Sequence, residues 1–133
     1  MRKGNRILLV DDETDITTTL KIALEDAGFI VNPYNDPLIA LSEFKPGYYD
    51  LVILDIKMQE MNGLELYAEM RKVDNQVRFC FITAGQMYYD EVRKEKREEG
   101  EEPYCKLNTE RFLQKPISNV ELLETINRVM MQR

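Results

Sequence analysis

The sequence predicts an α/β protein, a doubly wound parallel sheet of five strands with five helices, and three observations carry that prediction. Ile7-Leu8-Leu9-Val10 and Leu51-Val52-Ile53-Leu54 are continuous apolar runs, the pattern of strands buried on both faces. Apolar residues at helical spacing occupy the stretches between such runs, so strand and helix alternate along the chain. Both runs end in carboxylates, Asp11-Asp12 and Asp55, and in an open parallel sheet ligands bind outside the carboxyl ends of the strands.

Taken in order, the first strand is followed by Ile16, Leu20, Ala23, Leu24 and Ala27 on one helical face, with Gly28 placed to close that helix in the left-handed region. Phe29-Ile30-Val31 reads as a short second strand. Asp36-Pro37 supplies an N-cap and a proline at the first helical position, with Leu38, Leu41 and Phe44 facing inward and Lys45-Pro46-Gly47 as the stop. After the third strand, Met61-Asn62-Gly63 turns into a helix carrying Leu66, Tyr67, Met70 and Val73. Val77 to Ile82 is the fourth strand, ending at Thr83-Ala84-Gly85. Tyr88, Tyr89 and Val92 can seat a turn or two of helix, whereas Arg93 to Glu102 has no large apolar residue and reads as a solvated extension or loop. Phe112-Leu113-Gln114 is a weak fifth strand leading to Lys115-Pro116. Ser118 and Glu121 form a capping box for a last helix with Leu122, Leu123, Ile126, Val129 and Met130 inward. The expected organisation is one domain over 1–133, with an atypical charged extension around 86–110.

Composition narrows the chemistry. A net charge of −6 argues against nucleic acid or an anionic membrane as a direct partner. No apolar run approaches the length of a membrane span, and Met1 to Asn5 leads into a strand without a signal-peptide core, so a cytoplasmic setting is expected. Cys80 lies in an apolar run and reads as a small core residue; a Cys80–Cys105 disulfide is not expected. The chain has no histidine, which removes imidazole bases and imidazole metal ligands and requires any phosphohistidine to sit on another molecule. If the two acid-tipped strands are neighbours, three carboxylates share one crevice. Two unit charges ~4 Å apart repel by about 4 kcal/mol at an effective dielectric of ~20, so a hard cation such as Mg²⁺ is the natural occupant.

Asp11-Asp12 after the first strand, Asp55 after the third, Thr83 after the fourth and Lys115-Pro116 after the fifth together resemble the receiver domain of two-component response regulators. The resemblance covers nearly the whole chain and implies a flavodoxin-like sheet in the order 2-1-3-4-5. It implies that Asp55 is the phosphoacceptor, and that Asp11, Asp12, Asp55 and the backbone carbonyl of Lys57 surround Mg²⁺, with Mn²⁺ as a substitute. Thr83, Ala84 and Lys115 would meet the phosphoryl group, Thr83 and Phe112 would form the switch, and Lys115–Pro116 would be a cis peptide. The phosphoryl donor would be a histidine kinase or phosphotransfer protein in trans. The response would change the face formed by the fourth helix, fifth strand and fifth helix. The chemistry agrees with the residue types: a carboxylate can attack phosphorus, and phosphoryl transfer needs chiefly positioning and charge neutralisation. Three departures bear on output. Gln59 stands where the family usually has proline, the span from Thr83 to Lys115 is long and lacks the usual Gly-Ala pair before the fifth strand, and Phe112 lacks a tyrosine's hydroxyl.

Each motif alone has a plainer reading. Asp11-Asp12 or Asp55 can cap a turn, Thr83 can satisfy a sheet end, Lys115-Pro116 can be an ordinary turn, and Phe112, Tyr88 and Tyr89 can be packing residues. It is their joint placement at strand ends that favours a site. The expected role is that of a transient phosphoryl acceptor rather than an enzyme, a monomer or a phosphorylation-dependent dimer. With no further segment after Arg133, output is expected through protein contact, a phosphorelay or self-association. Two alternatives stand beside it: a receiver-fold interaction module that is not regulated by phosphorylation, and a haloacid-dehalogenase-like phosphatase using Asp11. The second requires an aspartate where this chain has Glu13, and it leaves Asp55 unexplained. Lys57, two residues beyond Asp55, is within reach of the phosphoryl group and is expected to affect its lifetime.

Overall fold

The computed structural model describes residues 5–84 and 112–131. Strands β1 (Arg6–Val10), β2 (Ile30–Tyr34), β3 (Leu51–Asp55), β4 (Arg78–Thr83) and β5 (Phe112–Gln114) form one parallel sheet in the order β2-β1-β3-β4-β5. Helices α1 (Thr14–Asp26), α2 (Pro37–Glu43), α3 (Gly63–Val73) and α4 (Asn119–Met130) cover its two faces. The flavodoxin-like arrangement expected from the sequence is present, with four helices among the described residues. The helical turns expected around Tyr88 to Val92, the charged extension around 86–110 and Cys105 lie outside them.

The central strands are apolar throughout because both of their faces are covered, and successive side chains go to opposite layers. Leu8, Val10, Val52, Leu54, Phe79 and Phe81 pack with Ala40, Phe44, Leu66, Tyr67 and Met70 of the α2–α3 layer. Ile7, Leu9, Leu51, Ile53, Cys80 and Ile82 pack with Leu20 and Leu24 of α1 and Leu122, Ile126 and Val129 of α4. Cys80 is fully buried. Tyr67, Phe79, Phe81 and Phe112 form a chain of ring contacts with centroids 4.8 to 6.4 Å apart, which ties α3 to β4 and β5.

Local signals act where the sequence puts them. Gly28 takes φ +102° just beyond α1, and Asp36 Oδ1 accepts from the N–H of Leu38 at 2.9 Å with Pro37 opening α2. Ser118 Oγ accepts from Glu121 N–H at 3.0 Å. The box with both reciprocal bonds, however, is at α3: Asn62 Oδ1 accepts from Glu65 N–H and Glu65 Oε1 from Asn62 N–H.

Three expectations need correction. The second strand runs Ile30–Tyr34 rather than ending at Val31, and it includes Pro33. As an edge strand paired only with β1 it can carry a residue without an N–H. Leu38 is 47% exposed instead of inward, because the buried stripe of α2 runs through Pro37, Ala40, Leu41 and Phe44. Val73, the last residue of α3, is also exposed, since the helix ends there at the Asp74 C-cap. Among the described residues no helix is long and apolar enough to cross a membrane.

Candidate functional site

The register of the sheet brings the acids together. Val10 pairs with Leu54 across β1 and β3, so the next residues, Asp11 and Asp55, leave adjacent strands side by side at a spacing near 4.8 Å. One carboxylate oxygen each from Asp11, Asp12 and Asp55 lie within 4.8 Å of one another. Asp11 is fully buried and Asp55 is 2% exposed, while Asp12 is half-buried. Lys115 follows β5 and is anchored by its backbone N–H on the carbonyl of Thr83 at 2.9 Å. Its Nζ stands 3.3 Å from Asp11 Oδ2 and 3.8 Å from Asp55 Oδ2.

Second contacts hold these groups in place. Glu13 N–H donates to Asp11 Oδ1 at 2.9 Å, and Gln59 N–H donates to Asp12 Oδ2 at 3.2 Å. The backbone of Asp11 donates to the carbonyl of Tyr34, and its own carbonyl accepts from Asn35 Nδ2 at 2.7 Å. Below Asp55, Ile56 N–H donates to the carbonyl of Ile82 and Gly63 N–H to the carbonyl of Ile56, so the acid-bearing turn is pinned between β4 and the start of α3. A methyl group on Gly63 would run into the Asp55 carbonyl oxygen and come to 2.9 Å from the Ile56 Cα. In the loop between these points Glu60 takes φ 55°, left-handed for a non-glycine residue.

A cleft of about 380 Å³ opens above the acids, lined by Asp12, Glu13, Asp55, Lys57, Met58, Gln59, Ala84 and Lys115. Lys57 and Ala84 are exposed on its wall, and Thr83 is buried at the end of β4. Phe112 is half-buried and stacks on Phe81 with centroids 5.2 Å apart. The Lys115–Pro116 bond is cis. Asp11, Asp12, Asp55, Lys57, Thr83, Ala84 and Lys115 therefore stand at one end of the sheet, and Phe112 lies a strand's length below the rim.

The electrostatics are those of crowded acids in partial burial. Burial, followed by the charge of Asp11, pushes the Asp55 carboxyl up to about 8. Burial also raises Asp11, against the Glu13 N–H and the Lys115 charge. Burial works against a charged Lys115, but the hydrogen bond to Glu13 and the Asp55 and Asp11 carboxylates outweigh it and raise its ammonium. Among the described residues two buried oxygens, Asp11 Oδ2 and Asp55 Oδ1, accept no hydrogen bond, although Asp11 Oδ2 is ion-paired with Lys115 at 3.3 Å. A converging set of three carboxylates, with Asp55 Oδ1 accepting no hydrogen bond among the described residues, suits a small hard cation. Glu13 is the site residue that sequence reading passed over: its Oε1 is the nearest of these acids to Lys115 Nζ, at 2.7 Å. The two are 102 residues apart, and no local pattern joins them.

A five-stranded parallel sheet in this order, with acids after β1 and β3 and a lysine after β5, defines a receiver-type α/β protein. The chain belongs to the response regulator receiver domain family, whose family model matches residues 7–127. It is 33% identical over 126 residues to the Haemophilus influenzae transcriptional regulatory protein CpxR homolog, covering 95% of this chain and 50% of that protein. It is 30% identical over 121 residues to the transcriptional regulatory protein DltR of Streptococcus agalactiae, covering 91% and 50%. The chain thus spans about half the length of these curated relatives. Among solved structures, the non-phosphorylated HemR receiver domain of Leptospira biflexa superposes with a TM-score of 0.74 at 29% identity, covering 97% of this chain and 96% of that one. The Vibrio cholerae chemotaxis protein CheY4 gives 0.73 at 25% identity, covering 94% and 98%.

Proposed function

We propose that this chain is a phosphoacceptor in two-component signalling, with Asp55 as the acceptor and a phosphohistidine on a histidine kinase or phosphotransfer protein as the donor. The observation that carries the proposal is the convergence of the Asp11, Asp12 and Asp55 carboxylates within 4.8 Å of one another, beside the Lys115 ammonium at the mouth of an open cleft. An Asp55 oxygen bonds to phosphorus as the phosphorus–nitrogen bond of the donor breaks and the imidazole leaves. Asp11, Asp12, Asp55 and the Lys57 backbone carbonyl would hold Mg²⁺ or Mn²⁺, which when bound neutralises charge on the phosphoryl oxygens. Lys115 supplies a second positive charge, the Thr83 hydroxyl a hydrogen bond, and Ala84 leaves room on the wall. Drawing Thr83 and Lys115 toward the new charge shifts the ends of β4 and β5, and Phe112 repacks against Phe81. Lacking a hydroxyl, it switches by packing alone. The face bearing β5 and α4 then meets a protein partner. The relatives' names concern transcription, and their greater length leaves room for output that this chain alone does not define.

The test is incubation with acetyl phosphate and Mg²⁺, followed by intact mass and peptide mapping. A gain of one phosphoryl group on Asp55, absent from Asp55→Asn, is expected. Label on Asp11 would instead support the phosphatase reading. No label under any donor, with partner binding unchanged, would leave a phosphorylation-independent interaction module.

A further inference from the structure

Glu13 occupies the N-cap position of α1, yet its side chain makes no capping hydrogen bond. Glutamate lacks the short side chain that caps well there, a position at which Ser, Thr, Asp or Asn is favoured. Its carboxylate reaches instead across the cleft to Lys115, and it is the nearest acid to that ammonium: 2.7 Å, against 3.3 Å for Asp11 and 3.8 Å for Asp55. The backbone of the same residue holds Asp11 through the 2.9 Å hydrogen bond to Oδ1. Glu13 is 62% exposed at its side chain and Lys115 only 16%, so the glutamate can swing into solvent while the lysine stays over the acids.

We propose that Glu13 is a positioning residue, which holds the Lys115 ammonium in the resting protein and competes for it with the phosphoryl group on Asp55. The inference rests on the phosphoacceptor reading and adds to it a residue outside the motif set. A phosphoryl group arriving at Asp55 has to draw Lys115 away from a carboxylate it already contacts. Glu13 therefore weakens the hold of the site on its phosphoryl group, and the length and charge of the residue at this position set how strongly.

The test uses beryllium fluoride, which stands in for a phosphoryl group on a carboxylate, at saturating Mg²⁺, with affinity read by calorimetry for wild type, Glu13→Gln, Lys115→Ala and the double variant. Glutamine keeps the shape and removes the charge. Glu13→Gln is expected to bind beryllium fluoride about two- to fivefold more tightly than wild type, the range of an exposed ion pair, with cation-free melting nearly unchanged. In the Lys115→Ala background the same substitution should have no effect. Equal affinity of Glu13→Gln and wild type would overturn the proposal. An equal gain in both backgrounds would also overturn it, because the effect would then be bulk charge rather than competition for Lys115. Failure of wild type to bind beryllium fluoride at all would overturn the phosphoacceptor reading itself and this inference with it.

Discussion

Two regions of the molecule bury aspartate, and they treat it in opposite ways. Asp74, 9% exposed at the end of α3, has both oxygens satisfied: Oδ2 accepts from Gly47 N–H at 2.8 Å and Oδ1 from Gln76 N–H at 2.9 Å. It fastens the turn after α2 to the end of α3. At the other end of the sheet, Asp11 and Asp55 are more deeply buried and face each other, and among the described residues each keeps one oxygen without a hydrogen bond. Buried polar groups are as a rule paired, so the first arrangement is what folding alone produces. In the second the Lys115 ammonium offsets part of the charge, and the cation proposed above would offset the rest. The contrast separates an acid whose oxygens the backbone satisfies from acids crowded against one another and a lysine.

The largest effect is expected at Gly63, which packs against the backbone of Asp55 and Ile56. Its neighbours leave no space for a Cβ, so Gly63→Ala should force the Asp55–Ile56 backbone aside and cost about 3 kcal/mol, at the upper end for overpacking. Urea melting checks the loss, and phosphodonor labelling of the folded fraction should fall as well. Next in size, Asp74→Ala leaves the Gly47 and Gln76 N–H groups without their acceptor. It is expected to cost about 2 kcal/mol in the same assay, with Mg²⁺ binding and labelling unaffected.

The crowded acids should respond with the opposite sign. Removing charge by Asp55→Asn relieves repulsion with Asp11, and without divalent cation it should stabilise the fold by on the order of 1 kcal/mol at about pH 9. The pH dependence follows from the raised carboxyl. Asp55 titrates at about 8 in the folded chain against an ordinary 3.8, so the native state holds the proton more tightly than the unfolded one between those values. Its contribution to stability is full below the ordinary value and is lost as pH rises through about 8. The cation-free wild type should therefore lose stability across that window, and Asp55→Asn should show a flatter profile, so the advantage of the variant shrinks toward acid. The smallest structural effect belongs to Lys57, exposed on the cleft wall. Lys57→Ala should change stability by less than about 0.5 kcal/mol while altering the lifetime of the acyl phosphate; equal dephosphorylation rates would remove Lys57 from the account.

Much of this was readable along the chain because the informative residues sit at strand ends. A buried parallel strand is a run of apolar residues, and the polar residue that ends it marks the rim of the sheet, which is why Asp11, Asp55, Thr83 and Lys115 stood out. Three features were not readable, for different reasons. The pairing of Val10 with Leu54 brings Asp11 and Asp55 together, and parallel register is fixed by packing of the whole sheet rather than by local pattern. The run of the second strand through Pro33 was not readable because a residue without an N–H is tolerated there only if β2 is an edge. The Glu13–Lys115 contact joins the first helix to the last strand, and one acid among 24 acidic residues carries no mark of its partner. Leu38 shows the converse, an apolar residue counted inward by spacing that the orientation of a short helix turns to solvent.

The carboxylates after β1 and β3 are proposed to form one cation-binding cluster. Thermal melting of wild type and Asp55→Asn at about pH 8, with and without millimolar Mg²⁺, tests it directly, because a ligand that binds only the folded state raises its melting temperature. Mg²⁺ should raise the melting temperature of wild type by several degrees and leave Asp55→Asn nearly unmoved. A wild type indifferent to Mg²⁺, or a variant that gains as much as wild type, would contradict it.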